Sequence, residues 1–461
     1  MASATRRVLV AGFALGVALA IGGCRRHEAG PSAREEGGTG TQAVEKLGPP
    51  FAGEAFFTGA WCSPSTGTTD PATWRRFSEA GLTLAVRPLE DPNDRARNLA
   101  TLRLLDTLEV APSACNPELL SPRLLVRDDA VHPDEATRPA WRERVKAVVA
   151  AYRGHRSLAG YFLADEPKPE RFDRIAEVAA AFAEADTAHP VYVNLLPLPA
   201  DAGLETQGRW RADAMRLIQR GHLRLFSFGA YSQGRQGEDA AYLLTLANAA
   251  NVSRATGCPF AAVLQFTGFG PLDPVPAATL DYLAAEAVAH GASGVIWFTY
   301  WTPNPREEGM FWRGGATEYD GTPSARADTL REVNAHTRAI VAALRSRPYA
   351  VVHLGGAWPR GSTLINLPIS GLAGARGGPI TLAAASLPDA PGQRSWLVIN
   401  RDRSRPRKII LQLEPSVLAT SLLRPTCAAT LTPFAPLNSI RELVTLDLLP
   451  GESVVVRLTK R

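Results

Sequence analysis

From about residue 54 to residue 345 the chain alternates, eight times over, a short apolar run with a longer amphipathic stretch, and no other feature constrains its fold so tightly. Strands that are apolar at nearly every position must be covered on both faces, which parallel strand–helix units achieve by laying helices over the sheet. The strands are read as AFFTGAW (55–61), LTLAVRPL (82–89), RLLVRDD (123–129), SLAGYFLADEP (157–167), PVYVNLLP (190–197), LRLFSFGAYS (223–232), PFAAVLQFTG (259–268) and SGVIWFTYW (293–301). Helical patterns fall at about 71–81, 92–109, 137–152, 169–186, 207–220, 238–256, 276–290 and 324–345. In the fourth, Ile175, Val178, Ala179 and Phe182 recur with the 3.6-residue period of one buried face. Eight such units match the size of a closed (β/α)8 TIM barrel, placed at 51–347. The competing architecture, an open doubly wound sheet, more often carries a glycine-rich phosphate loop after its first strand; GAWCSPSTG (59–67) is not GxGxxG.

After Tyr349 the helical period disappears. AVVHLG (350–355), SWLVIN (395–400), KIILQL (408–413), LVTLDLL (443–449) and ESVVVRL (452–458) alternate with Gly/Pro turns, the pattern of an antiparallel β-sandwich over 348–461.

The first 23 residues read as an address. Arg6 and Arg7 precede an apolar run, Val8–Ile21, shorter than the ~20 residues that span a bilayer. Ile21-Gly22-Gly23-Cys24 resembles the lipobox of bacterial lipoproteins, which implies lipidation of Cys24 and a membrane-anchored place in the cell envelope; an ordinary secretory leader with an incidental cysteine is the alternative. Residues 24–50 are polar and Gly-rich, as a flexible tether is. Cys62, Cys115, Cys258 and Cys427 then remain, and spacing does not choose among their three possible pairings. There is no CxxC or HExxH, so no metal or other cofactor is expected, and the eight scattered histidines are read as surface or structural residues. A net charge of +5 is spread without a basic stripe, which argues against a nucleic-acid partner.

Barrel chemistry gathers at the carboxyl ends of the strands. Those ends offer Trp61, Arg87, Asp128 with Asp129, Asp165 with Glu166, Asn194, Tyr231, Gln265, and Tyr300 with Trp301. Carboxylates, amides, an arginine and aromatics are the types a carbohydrate site needs: proton transfer at a glycosidic oxygen, hydrogen bonds to hydroxyls, and flat faces for sugar rings. Trp61, Trp301, Phe311 and Trp312 are candidate platforms, whereas Trp297 and Phe298 read as barrel packing. Arg87 either clamps an acidic sugar or pairs with Asp128.

The string GYFLADEP (160–167) resembles the Asn-Glu-Pro or Asp-Glu-Pro strand end of clan A retaining glycoside hydrolases. VIWFTYWTP (295–303), DGTPS (320–324) and the ending LLPGESVVVRL (448–458) resemble bacterial barrels of the beta-galactosidase and cellulase type with a β-sandwich behind them. The resemblance implies that Glu166 is the general acid/base. Such an acid must be protonated near neutrality, which Asp165 assists if both side chains converge, although neighbours on a regular strand point to opposite faces.

The same resemblance places a nucleophilic Glu at the end of strand 7, where this chain has Gln265, and an amide cannot form the glycosyl ester. Three explanations stand. A second carboxylate comes from elsewhere, with Glu307, Glu308 or Asp128 as candidates; the substrate supplies its own nucleophile, oriented by Asp165; or the chain binds carbohydrate without cleaving it. An acyl-transfer hydrolase is disfavoured because the chain lacks GxSxG.

Overall fold

The computed structural model describes residues 56–64, 70–86, 95–111, 121–128, 139–231, 240–304, 311–355, 369–424, 435–436 and 442–461. The leader, Cys24 and the tether lie outside them, as do Arg87, Cys115, Asp129, Glu307, Glu308 and Cys427. Cys62 and Cys258 are both buried.

Eight parallel strands close into a barrel: β1 (Phe57–Ala60), β2 (Leu84–Val86), β3 (Arg123–Val126), β4 (Leu158–Asp165), β5 (Val191–Leu195), β6 (Leu225–Ala230), β7 (Phe260–Gln265) and β8 (Gly294–Phe298), with β8 returning to pair with β1. Helices α1 (Pro71–Glu79), α2 (Arg95–Thr107), α3 (Trp141–Tyr152), α4 (Phe172–Ala185), α5 (Leu204–Gly221), α6 (Ala240–Thr256), α7 (Ala277–Ala289) and α8 (Ala327–Leu344) follow the strands in turn. The expected barrel is therefore the observed one. Local chemistry starts α1: Pro71 opens it, and the Asp70 carboxylate accepts from the backbone N–H of Ala72 at 3.0 Å and of Thr73 at 3.2 Å.

Inside the ring, Leu84, Leu125, Phe162, Tyr192, Val263 and Ile296 pack against one another, so the barrel centre is a filled core. Gly294 is required there, because a Cβ would lie 2.6 Å from the ring atoms of Phe57. Outside the ring, the stripe at Ile175, Val178, Ala179 and Phe182 is buried as its period requires.

The C-terminal part is two antiparallel sheets. Its strands are β9 (Ala350–Leu354), β10 (Leu372–Arg376), β11 (Ile380–Ser386), β12 (Arg394–Asn400), β13 (Arg407–Leu413), β14 (Val417–Leu423), β15 (Leu443–Leu448) and β16 (Ser453–Lys460). The larger sheet runs β9-β11-β12-β16-β14 with the short stretch Ala435–Pro436 at its edge, and the smaller runs β10-β13-β15. Three of these strands, β10, β11 and β14, escape sequence reading: LAGAR and ITLAAAS are rich in Ala, VLATSLL is rich in Leu, and all three lack the aromatic residues that mark a strand.

The larger sheet is apolar on both faces. Leu382, Ala384, Trp396, Val398, Val454 and Val456 face the smaller sheet, while Ala383, Ala385, Leu397, Ile399 and Val455 join the core that includes α7 and α8. The joint is tight, since a Cβ on Gly451 would lie 2.6 Å from the carbonyl oxygen of Ala278 at the start of α7.

Candidate active site

The site begins with a break in the regular pleat of β4. Its pairing with β5 shifts register between Phe162 and Ala164, and the residue after the strand, Glu166, takes φ +43° while donating its backbone N–H to the carbonyl of Asn194 at 2.8 Å. Alternation would send Asp165 and Glu166 to opposite faces. The left-handed turn removes that obligation, and both carboxylates converge on the mouth of the barrel. A non-glycine residue at positive φ is strained, and such strain gathers at functional sites.

Asp165 is held by a chain of hydrogen bonds along the inward face. Asn194 donates its amide to Asp165 at 2.9 Å and accepts at its own oxygen from the Ser227 hydroxyl at 2.6 Å. Ser227 has spent its only proton, so the Tyr192 hydroxyl, 2.7 Å away, donates to it. The network therefore settles which end of the Asn194 amide faces the carboxylate.

Glu166 leans across to β6. A Cβ on Gly229 would lie 3.3 Å from Glu166 Oε1 and 3.2 Å from the Tyr231 hydroxyl oxygen, so the bare backbone of Gly229 seats both groups side by side. Burial first, and then the charge of Asp165, pushes the Glu166 carboxyl up to about 7. Burial also raises Asp165, against the pull of its Asn194 hydrogen bond and the Arg127 charge. Asp165 is exposed to solvent at the rim, although protein atoms crowd around its carboxyl, as a concave mouth allows. Burial holds the Tyr231 phenol well above its ordinary value, with the charges of Glu166 and Asp165 adding to the effect, so it is a donor and never a phenolate here.

Aromatic rings close the β7–β8 side. Tyr231, Phe269, Phe298 and Trp312 contact one another at ring separations of 5.2–5.8 Å. Gln265 is fully buried beneath this side, donating its amide to the carbonyls of Thr267 at 3.2 Å and Asp273 at 2.9 Å. It supports the loop after β7, and the expectation that it contacts substrate is corrected.

Other expectations also change. Asp128 turns outward to the helix layer, where it accepts from Arg95 at 2.8 Å and from the Tyr152 hydroxyl at 3.0 Å, so it is not a second catalytic carboxylate. Trp61 is 4% exposed and packed edge-on against Phe162 and Phe298; it is the floor of the mouth, not an open platform. Tyr300 packs edge-on against Phe77 of α1 at 4.9 Å, outside the ring. Trp301 donates to the Tyr319 carbonyl at 3.3 Å in the loop after β8. Phe298, read as packing, does pack against the barrel interior and forms part of the mouth wall as well. Trp312 is buried in that wall, and Phe311 is exposed with the Arg313 guanidinium over its ring.

Sequence reading missed Arg127, Ser227, Gly229 and Phe269. Arg127 stands two residues past inward-facing Leu125, with its guanidinium 5.7 Å from the centre of the Phe162 ring; strand alternation carried that signal. Ser227 and Gly229 likewise follow Leu225 by even steps.

The chain is thus a (β/α)8 barrel with paired carboxylates at the end of its fourth strand and a β-sandwich behind it, and its fold resembles that of several solved glycoside hydrolases. A glycoside hydrolase family 5 protein from Bacteroides vulgatus superposes with TM-score 0.53 at 10% identity, over 88% of this chain and 89% of that one. A GH42 beta-galactosidase from G. stearothermophilus gives 0.53 at 8% identity, over 89% and 99%. A beta-galactosidase from Bacillus circulans sp. alkalophilus gives 0.52 at 9% identity, over 88% and 99%. At such identities the likeness establishes the fold. No protein-family model and no curated protein matches the chain.

Proposed function

We propose that the chain is a glycoside hydrolase acting on an oligosaccharide or surface glycan, in which Glu166 protonates the leaving glycosidic oxygen. One observation carries this reading: Glu166 is turned into the barrel mouth with its carboxyl raised to about 7, so that near neutral pH a substantial share of it holds the proton a general acid must give. Arg127, Asn194 and Tyr231 surround the pair with donors suited to sugar hydroxyls.

Among the described residues, Asp165 is the carboxylate whose charge acts on Glu166. Its place beside the acid suits it to orient and polarise a nucleophilic group carried by the substrate. Glu308, in the loop after β8, is the alternative second carboxylate. Trp301 and Arg87 remain proposed substrate contacts.

The test is turnover on a glycan panel. Glu166→Gln is expected to lower the rate on an unactivated glycan by at least ~10²-fold, with a smaller loss on an aryl glycoside whose leaving group needs no proton. An unchanged rate on the unactivated glycan would sink the assignment. Asp165→Asn and Glu308→Gln, compared on the same substrates, separate the two routes: loss in the first alone supports the substrate-assisted one.

A second reading, carbohydrate binding without cleavage, is favoured by Gln265, which leaves the end of β7 without an acid. It predicts retention of a glycan by the wild-type chain with no product released. For the leader, we propose lipidation at Cys24 and anchoring in the cell envelope; incorporation of labelled fatty acid, lost in Cys24→Ala, is the test.

A further inference from the structure

Where α7 meets the sandwich, three metal-ligating side chains come together far from the barrel mouth. Glu286 and His290 are four residues apart, one turn along α7 and its cap, and so share a face. His353 is on β9, in register with Thr381 of β11. One donor atom from each of Glu286, His290 and His353 lies within 4.8 Å of the others. We propose that these three residues form a binding site for a divalent transition-metal ion of the zinc type, which ties the barrel to the sandwich.

Hydrogen bonds prepare the ligands. The Thr381 hydroxyl donates its only proton to Glu286 Oε1 at 2.6 Å, so the His353 Nδ1, 3.1 Å from the same oxygen, must carry a proton of its own and donate. His290 Nδ1 donates to the Glu286 backbone carbonyl at 2.8 Å. Both rings are thereby set in the tautomer that leaves Nε2 as a lone pair, the way metal-binding histidines are oriented by a second hydrogen bond. His290 is fully buried at its side chain, and its Nε2 has no hydrogen-bond partner. A buried acceptor without a donor is costly, and a cation satisfies it.

Two imidazoles and a carboxylate are a known zinc donor set. With bonds of about 2.0–2.2 Å, tetrahedral donors stand about 3.4 Å apart, so the side chains close inward by about an ångström.

The experiment strips the full chain with EDTA and titrates it with ZnCl2 by calorimetry. The expected result is one ion per chain and a melting temperature raised by at least about 3 °C at saturation. His290→Gln and His353→Gln are each expected to lose that ion, which separates this cluster from the other histidines. If either variant fails to fold, Co²⁺ on the wild-type chain decides: tetrahedral d–d bands without a thiolate charge-transfer band support the site. Absence of stoichiometric uptake, a thiolate band, or unchanged binding in both variants overturns it. None of these readouts depends on glycoside hydrolysis.

Discussion

The Asn194 side chain donates to Asp165 across the β4–β5 seam at 2.9 Å, and its opposite end is tied to Ser227, so the acid beside Glu166 has one orientation. Removing either link frees it. Asn194→Ala is expected to cost about 10–10² in kcat, and Ser227→Ala about tenfold, both with smaller changes in KM. Equal turnover in Asn194→Ala would separate Asp165 from catalysis.

The raised Glu166 carboxyl predicts a pH profile with a definite sign. A general acid acts while protonated, so kcat/KM is expected to fall as pH rises through about 7. Stability moves the same way: the folded state holds this proton more tightly than the unfolded chain, whose value is near 4.5, so the stabilisation is present in full below 4.5 and lost as pH rises through 7. Glu166→Gln is expected to flatten that dependence and to gain roughly 1–3 kcal/mol at pH 8, read from denaturant unfolding at two pH values.

Gly229 seats the acid and the phenol. In Gly229→Ala the new methyl stands 3.2–3.3 Å from Tyr231 and Glu166, tight enough to push both aside. A loss of about tenfold in kcat with little change in melting temperature is expected.

Gln265→Glu, the substitution that matches the hydrolase pattern, is not expected to improve activity. The amide hydrogens now meet two backbone carbonyls, and an ionised carboxylate would set a buried charge against the same oxygens. Destabilisation of about 3 kcal/mol or more, with no faster turnover, is the expected outcome of unfolding and rate measurements.

Arg326 clamps the loop above Gln265. Its guanidinium donates to the carbonyls of Phe266 at 2.7 Å and of Gly314 and Val275 at 2.5 Å, and lies 4.1 Å from the centre of the Phe266 ring. Arg326→Ala is expected to cost about 3 kcal/mol, and Arg326→Lys to recover little of it, because an ammonium cannot reproduce the planar fork. Full recovery in the lysine variant would contradict this.

The barrel was readable because its signal repeats: eight apolar runs at helix-length intervals leave few architectures. Asp165 and Glu166 were readable because the strand-end string carries both. What alternation hid was their convergence, since it depends on one left-handed residue. Tyr300 and Trp301 read as mouth residues only if the last strand reaches Trp301; β8 ends at Phe298, and Tyr300 beyond it packs against Phe77 of α1. Gln265 lies on the inward register, yet the carbonyls of the loop that covers it decide where its amide goes. The meeting of Glu286 and His290 with His353 was invisible for another reason: it arises only when α7 and a strand more than sixty residues later are packed together.

That packing also says how the molecule comes apart. Because alternate residues of β11, β12 and β16 are shared between the sandwich interior and the helices of the barrel, neither half owns a complete interior of its own. A chain cut near residue 348 would leave the outer side of α7 and α8 wet, and the severed sandwich would carry an oily face. Barrel and sandwich are thus expected to melt in one transition, and neither to survive as a transplantable module.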